Sequence, residues 1–247
     1  MRIVFLGTNG WYDTEMGNTI CTLVQTERWD ILLDAGNGIH RAERYIQGDK
    51  PVFLFLSHFH VDHIEGLHIL MRLPFRKGLC ICGPARSRET LGIFLKEPFT
   101  LPVAALPYPV RILELPAEAA ALPFTVEVFP LRHSVITLGF RIAADGRIVG
   151  YCPDTGYCEN AVTLGRSADI LITECAFKAG QSNEDWPHLT PETAARIAVE
   201  AGAKRLALTH FDASLYRTPA DRSEAQKVAA GIFPMSETAT DKMQITL

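Results

Sequence analysis

The chain has 247 residues, 47% of them hydrophobic and 21% charged, with a formal net charge of -4. That length can bury a full core without disulfide or metal staples, and the composition is globular rather than disordered, fibrous or membrane-spanning. The acidic balance excludes a surface built to coat nucleic acid in bulk, and the longest clean apolar run, Val52–Leu56, is far short of the roughly 18 residues that span a bilayer.

The opening Met1–Gly7 has too short an apolar run for a signal peptide. Six cysteines without Cys-x-x-Cys spacing read as reduced thiols, so a cytoplasmic protein is expected. Arg2–Leu6 reads as a first strand, closed by Gly7 and a glycine-containing loop to Asn18. Thr19–Gln25 and Ile31–Asp34 read as a hairpin around the polar turn Glu27–Asp30. Gly38–Gln47 follows as a helix stopped by Gly48. Pro51–Leu56 is continuously apolar, the mark of a strand buried on both faces. The loop Ser57–His63 leads into an amphipathic helix over Ile64–Leu73, then a strand Leu79–Cys82 and a helix Arg86–Leu95. Glu97–Pro109 carries Pro98, Phe99, Pro102, Pro107, Tyr108 and Pro109, so it is a loop, read equally as a substrate lid or as plain surface.

Four strands come next: Val110–Leu115, Phe124–Pro130, Thr137–Ile142 and Arg147–Tyr151. They precede a helix at Cys158–Arg166, a strand Ile170–Thr173, a helix Pro191–Ala201 and a strand Arg205–Thr209. Thr190 caps the helix that Pro191 begins, with Glu192 in its first turn. No linker composition interrupts the chain, so residues 1–247 read as one domain of layered sheets covered by helices.

Ser57-His58-Phe59-His60-Val61-Asp62-His63 follows directly on the buried strand, with four potential ligands within six residues. On a loop leaving a strand they can converge from one backbone turn, and imidazole with carboxylate suits zinc, manganese or iron. This His-x-His-x-Asp-His run resembles the signature of the metallo-β-lactamase superfamily. The later residues follow in that family's order: His133 after the strand Phe124–Pro130, Asp154 in Cys152-Pro153-Asp154-Thr155-Gly156, and His210 at the end of Arg205–Thr209.

The resemblance implies an α/β fold, a four-layer αββα sandwich of two packed mixed β-sheets flanked by helices. It also implies two divalent metal ions, zinc or manganese with iron tolerated. One would be held by His58, His60 and His133, the other by Asp62, His63 and His210, with Asp154 bridging. A carboxylate has two oxygens to share between ions, whereas a neutral imidazole offers one lone pair. A hydroxide between the ions is the implied nucleophile. Asp34 is expected to support these loops by hydrogen bonds rather than to bind metal.

Leu6-Gly7-Thr8-x-Gly10, Gly17-Asn18-Thr19 and Leu33-Asp34-Ala35-Gly36 resemble the opening of ribonuclease Z and its phosphodiesterase relatives. Leu208-Thr209-His210-Phe211-Asp212 is similar to that branch's closing Thr-His-Phe-Ser, with Asp212 in place of serine. The segment His188-Leu189-Thr190 implies that His188 is a catalytic general acid, held and charged by a carboxylate such as Asp62. The competing reading makes His188 a cap at the start of the following helix.

The long arm with which ribonuclease Z grips tRNA has no room here. Only Ser134–Pro153 separate His133 from Asp154, enough for two strands and a turn at Asp145-Gly146. The expected substrate is therefore a small phosphodiester, a cyclic phosphate or cyclic nucleotide. The layout is similar to the cyclic ribose phosphate phosphodiesterases of phosphonate metabolism. Hydrolysis of a carboxylic ester, lactone or thioester is the alternative, and tRNA 3′ processing stands third. No membrane or bulk nucleic-acid partner is expected, and dimers are common among the relatives. Cys80 and Cys82 share one side of a strand, where two thiols pack as small hydrophobes more readily than they bind a structural zinc. Trp11, Tyr12 and Asp13 receive no role.

Overall fold

The computed structural model describes residues 1–247. Its strands in chain order are β1 (Arg2–Gly7), β2 (Asn9–Gly10), β3 (Cys21–Gln25), β4 (Asp30–Leu33), β5 (Val52–Phe55), β6 (Leu79–Gly83), β7 (Val110–Glu114) and β8 (Thr125–Pro130). There follow β9 (Leu138–Ala144), β10 (Arg147–Cys152), β11 (Ile170–Glu174), β12 (Leu206–Thr209), β13 (Phe211–Asp212), β14 (Ser236–Thr238) and β15 (Gln244–Thr246). The α-helices are α1 (Val61–Ile64), α2 (Ser87–Phe94), α3 (Glu159–Gly165), α4 (Pro191–Ala201) and α5 (Pro219–Ile232).

Two mixed sheets result. The first runs β15-β1-β3-β4-β5-β6-β7 and the second β14-β12-β11-β10-β9-β8. In the first, β1, β3 and β4 meander antiparallel, and β4 to β7 are parallel. In the second, β10, β11, β12 and β14 are parallel, and β8 and β9 return antiparallel. The parallel strands β5 and β6 are buried along their whole length, as their unbroken apolar sequence requires. β8 is an edge strand of alternating burial, closed by Pro130 where no further ladder bond is needed.

Period-two alternation sends each strand's side chains into two different cores. Phe53 and Phe55 face inward and meet Phe140, Ile142, Tyr151 and Ile172 of the other sheet. Leu54 and Leu56 face outward and pack under Leu67, Leu70 and Leu91. On the far side Leu171, Leu206 and Leu208 pack under Leu164, Ala194, Ala198 and Ala225. Helices, two sheets and helices thus make the four-layer αββα sandwich.

Helix α4 has the bounds its signals set. Thr190 accepts a hydrogen bond from Thr193, Pro191 is its first residue, and Gly202 closes it at φ 60°. Two other segments depart from the sequence reading. Gly38–Gln47 is a 3-10 helix over Asn37–Arg44, and Ile64–Leu73 is the single turn α1 followed by a 3-10 helix over Glu65–Arg72. The Gly66 N–H donates to Ala35 O at 2.9 Å rather than back along its own helix, which interrupts the α-helical ladder there. The pattern also left α5, β14 and β15 unassigned. The two strands have three residues each, and α5 buries only Arg222, Ala225 and Ala229. No helix is long and apolar enough to cross a membrane.

Candidate metal centre

The loops that leave β5, β8, β10, β11 and β12 gather at one end of the sandwich. His58, His60, Asp62 and His63 follow β5, and His133 follows β8. Asp154 follows β10, Glu174 ends β11, and His210 follows β12. At His210 the backbone takes φ 51°, a left-handed turn uncommon for a residue with a side chain. The turn feeds β13, which pairs with β2 and lays Gly10 against the His210 ring. A methyl group at Gly10 would sit 2.6 Å from His210 Cε1.

The candidate ligands form two groups around one carboxylate. In the first, His58 Nε2 lies 2.9 Å from His60 Nδ1, and His133 Nε2 lies 3.4 Å from the same atom. Asp154 Oδ2 faces this group at 3.9 Å from His58 and 3.8 Å from His133. In the second, His63 Nε2 and His210 Nε2 are 3.0 Å apart, each 3.3 Å from Asp154 Oδ1. Asp62 Oδ2 stands 3.3 Å from His210 and accepts the Trp11 N–H at 2.8 Å. Asp154 therefore turns one oxygen to each group, an arrangement in which one carboxylate can serve two cations.

Asp34, at φ 58° just after β4, sits fully buried beneath these loops. It accepts the Ser57 N–H at 2.7 Å, the Ser57 hydroxyl at 2.9 Å and the Tyr151 hydroxyl at 2.6 Å. Its Oδ2 also lies 2.9 Å from His63 Nδ1. With Nδ1 engaged there, Nε2 of His63 is left for the centre, and Ser57 Oγ orients His58 in the same way at 2.9 Å.

The residues present fit a pair of metal ions. Asp154 Oδ1 is buried and has no hydrogen-bond donor, a costly state for a carboxylate oxygen unless a cation meets it. Burial, with the neighbouring imidazoles, holds His58 well below the usual histidine value, and burial also lowers His60 and His133. The first group thus offers neutral donors. His63 is the reverse: burial lowers it, but Asp154, Asp34 and Asp62 outweigh burial and raise it well above the usual value. The same balance, led by Asp154, raises His210. Burial pushes Asp62 and Asp154 up, and the facing histidines bring both below the ordinary carboxylate range. The second group carries an excess negative field that a divalent ion can neutralise in place of protons.

His188 lies beside both groups, its ring 5.2 Å from His133 and 6.1 Å from His210 between centroids. Its carboxylate partner is Glu174, not Asp62. His188 Nδ1 is 2.7 Å from Glu174 Oε1, whereas Asp62 is turned to His210 and Trp11. Glu174 is fully buried, and it also accepts the Thr155 N–H at 2.8 Å and the Ala176 N–H at 2.9 Å. Burial lowers the His188 value, but the Glu174 charge and hydrogen bond overcome it, and the imidazole is pushed up to about 9. Trp186 stacks on His60 at 5.3 Å, nearly parallel, and meets His133 edge-on at 5.5 Å.

Known proteins share this fold. Residues 28–211 match the family model described as a beta-lactamase superfamily domain. The chain belongs to the metallo-β-lactamase superfamily. Probable metallo-hydrolase YhfI of Bacillus subtilis is 28% identical over 85% of this chain and 87% of its own length. Ribonuclease Z of Bacillus cereus is 27% identical, over 98% of this chain and 97% of its own. Among solved structures, YhfI superposes with a TM-score of 0.81 at 24% identity, covering 99% of this chain and 98% of that one. The short form of human tRNase Z gives 0.77 at 24% identity, over 100% and 99%. A diphosphatase of the PhnP family gives 0.74 at 17%, over 100% and 97%. Like its relatives in this superfamily, the chain is a metal-dependent hydrolase.

The structure brings all seven candidate ligands and His188 of this superfamily member into one site. Sequence reasoning missed Glu174 and Trp186. A strand ending on an acid, as β11 does in Ile170–Glu174, is the one signal that pointed to the first; the second lies in an irregular segment with no pattern. Cys80 and Cys82 have their sulfurs 3.8 Å apart in the inter-sheet core and belong to no cluster of three ligating side chains. All six cysteines are free thiols. Of the loop Glu97–Pro109, Tyr108 is pinned by its hydroxyl to Leu70 O at 2.5 Å, while Phe99 remains exposed.

Proposed function

We propose that this hydrolase cleaves a small phosphodiester, a cyclic phosphate or cyclic nucleotide, with two zinc or manganese ions, iron being a further tolerated metal. The observation that carries the reading is the Glu174–His188 pair beside the two ligand groups. A phosphodiester expels an alkoxide, which needs a proton, and a buried imidazole held by a carboxylate is a proton source. When bound, two divalent ions supply Lewis acidity toward the phosphoryl oxygens and activate a water at neutral pH.

The chain's own residues do the rest. His58, His60 and His133 would hold one ion, Asp62, His63 and His210 the other, and Asp154 both. Asp34 and Ser57 keep the imidazoles aimed inward. Glu174 fixes His188 through Nδ1 and leaves Nε2 to hand its proton to the leaving oxygen. Trp186 stacks on His60 and stands edge-on to His133, which fixes both rings.

A small substrate is favoured by what stands between His133 and Asp154. It is the hairpin β9–β10, turned tightly at Asp145 and Gly146 with φ 49° and 68°. The alignment with the Bacillus cereus ribonuclease runs over 310 residues against 247 here, so that enzyme carries sequence this chain lacks. The test is hydrolysis of bis(p-nitrophenyl) phosphate by metal-reconstituted protein, with His60→Ala as the blank. Turnover absent from the variant supports the reading and leads to a panel of cyclic phosphates. No turnover with both metals bound refutes it and brings lactones and thioesters forward.

A further inference from the structure

A cleft of about 570 Å³ opens beside the metal centre and shares His60 with it as a wall. Its other walls come from Phe59 and Ile64 after β5, Ile93 on α2, Phe99 of the proline-rich loop, and Val135 and Ile136 after β8. Three of these are large apolar side chains left largely in water: Ile136 is 70% exposed, Phe99 66% and Ile93 55%. Isolated exposed hydrophobics are ordinary, but here they converge on one concavity that touches a ligand group. The charged residues at the rim, Arg86 and Glu89, satisfy each other through two hydrogen bonds of 2.8 Å. The volume lies within the roughly 300–1,000 Å³ of small-molecule sites, which are mostly apolar with a few polar groups.

We infer that this cleft receives an aromatic or branched-alkyl group of the substrate whose phosphoryl centre sits between the two ligand groups. The inference rests on the phosphodiesterase reading and narrows it: one ester oxygen carries a bulky apolar group. Burying that group covers Phe99, Ile93 and Ile136 together, and the reacting bond is then held beside His60.

The test is calorimetric titration of zinc-loaded protein with benzylphosphonate and with methylphosphonate, for the wild type and for the double variant Ile93→Asp/Phe99→Asp. Both positions are exposed, so the fold tolerates the change. The wild type should bind the benzyl compound at least about tenfold more tightly, the discrimination expected of an apolar pocket. The double variant should lose that preference while keeping its metal content and its affinity for methylphosphonate. Equal affinities in the wild type overturn the inference, and so does a preference that survives in the variant. A wild-type dimer that the variant splits in sedimentation velocity also overturns it, because a second copy would then be the occupant. Turnover of p-nitrophenyl phosphodiesters by the same samples separates the two claims. A benzyl preference without any turnover sinks the phosphodiesterase reading and leaves the cleft standing; turnover without the preference does the reverse.

Discussion

Replacing Glu174 by Gln tests the proton-donor assignment while keeping the shape of the side chain. The carboxylate accepts three hydrogen bonds in a fully buried position, from Thr155 N–H and Ala176 N–H and at His188 Nδ1. An amide has one oxygen and one donor nitrogen in place of two acceptors. Wherever the nitrogen settles, it faces at least one of these N–H groups, and one buried donor loses its partner. That costs about 1–3 kcal/mol, and a chain of this size loses roughly 2–4 °C of Tm for each kcal/mol. The variant should therefore melt several degrees lower but remain folded and keep both metals.

Its catalytic loss should depend on the leaving group. General-acid assistance contributes about 10²–10⁴-fold when the departing oxygen is basic, and little when it leaves readily as p-nitrophenolate. In Glu174→Gln and His188→Ala alike, kcat for an alkyl phosphodiester should fall by about 10²-fold or more. Hydrolysis of bis(p-nitrophenyl) phosphate should change far less. Metal content by plasma mass spectrometry and kcat across a series of leaving groups provide the assay. Equal losses for both leaving groups with metals retained would refute the general-acid role, and loss of a metal would make the pair structural.

Gly10→Ala places a methyl 2.6 Å from His210 Cε1, so His210 must move; the metal content should drop from two ions to one per chain. Stripping the metals with a chelator should lower Tm by on the order of 10 °C, since a ligand at a thousand times its Kd adds about 4 kcal/mol; a Tm that does not respond argues against metal-linked stability. Thr218→Ala removes the cap that accepts the Asp221 N–H and should cost about 1 kcal/mol in thermal melts, with metal content and turnover unchanged.

The neighbouring Asp221 gives a pH signature. Hydrogen bonds from the Lys178 ammonium and the Thr218 hydroxyl hold its carboxyl at about 2. Its ionised form therefore stabilises the fold above the usual carboxylate value of roughly 3.9, and that contribution disappears as pH falls toward 2. The Tm difference between wild type and Asp221→Ala should be largest near neutrality and shrink through that window.

What could be read from the sequence was whatever is local or periodic. His58, His60, Asp62 and His63 declare themselves because one short loop carries all four, and β5 before them because burial on both faces leaves an unbroken apolar run. Thr190, Pro191 and Gly202 mark the ends of α4 by capping chemistry that acts within a turn. His133, Asp154 and His210 were legible as polar residues at strand ends, in an order that resembles a family's. Where the backbone hydrogen bonds go was not legible: the 3-10 turn over Glu65–Arg72 exists because Gly66 bonds across to Ala35, thirty-one residues away in the chain.

The partner of His188 depended on the same kind of fact. From the sequence, Asp62 and Glu174 are both acids near a strand end; only the parallel packing of β11 between β10 and β12 brings Glu174 to His188 Nδ1, while Asp62 faces His210. The apolar cleft likewise has walls from separate stretches, around Phe59, Ile93, Phe99 and Ile136, and none carries a pattern of its own. Local pattern along the chain sets which side chains can bind metal and where the strands that carry them run. Tertiary structure decided which acid faces which base and which hydrophobics share a cavity, because those distances depend on how two sheets pack and not on separation along the chain.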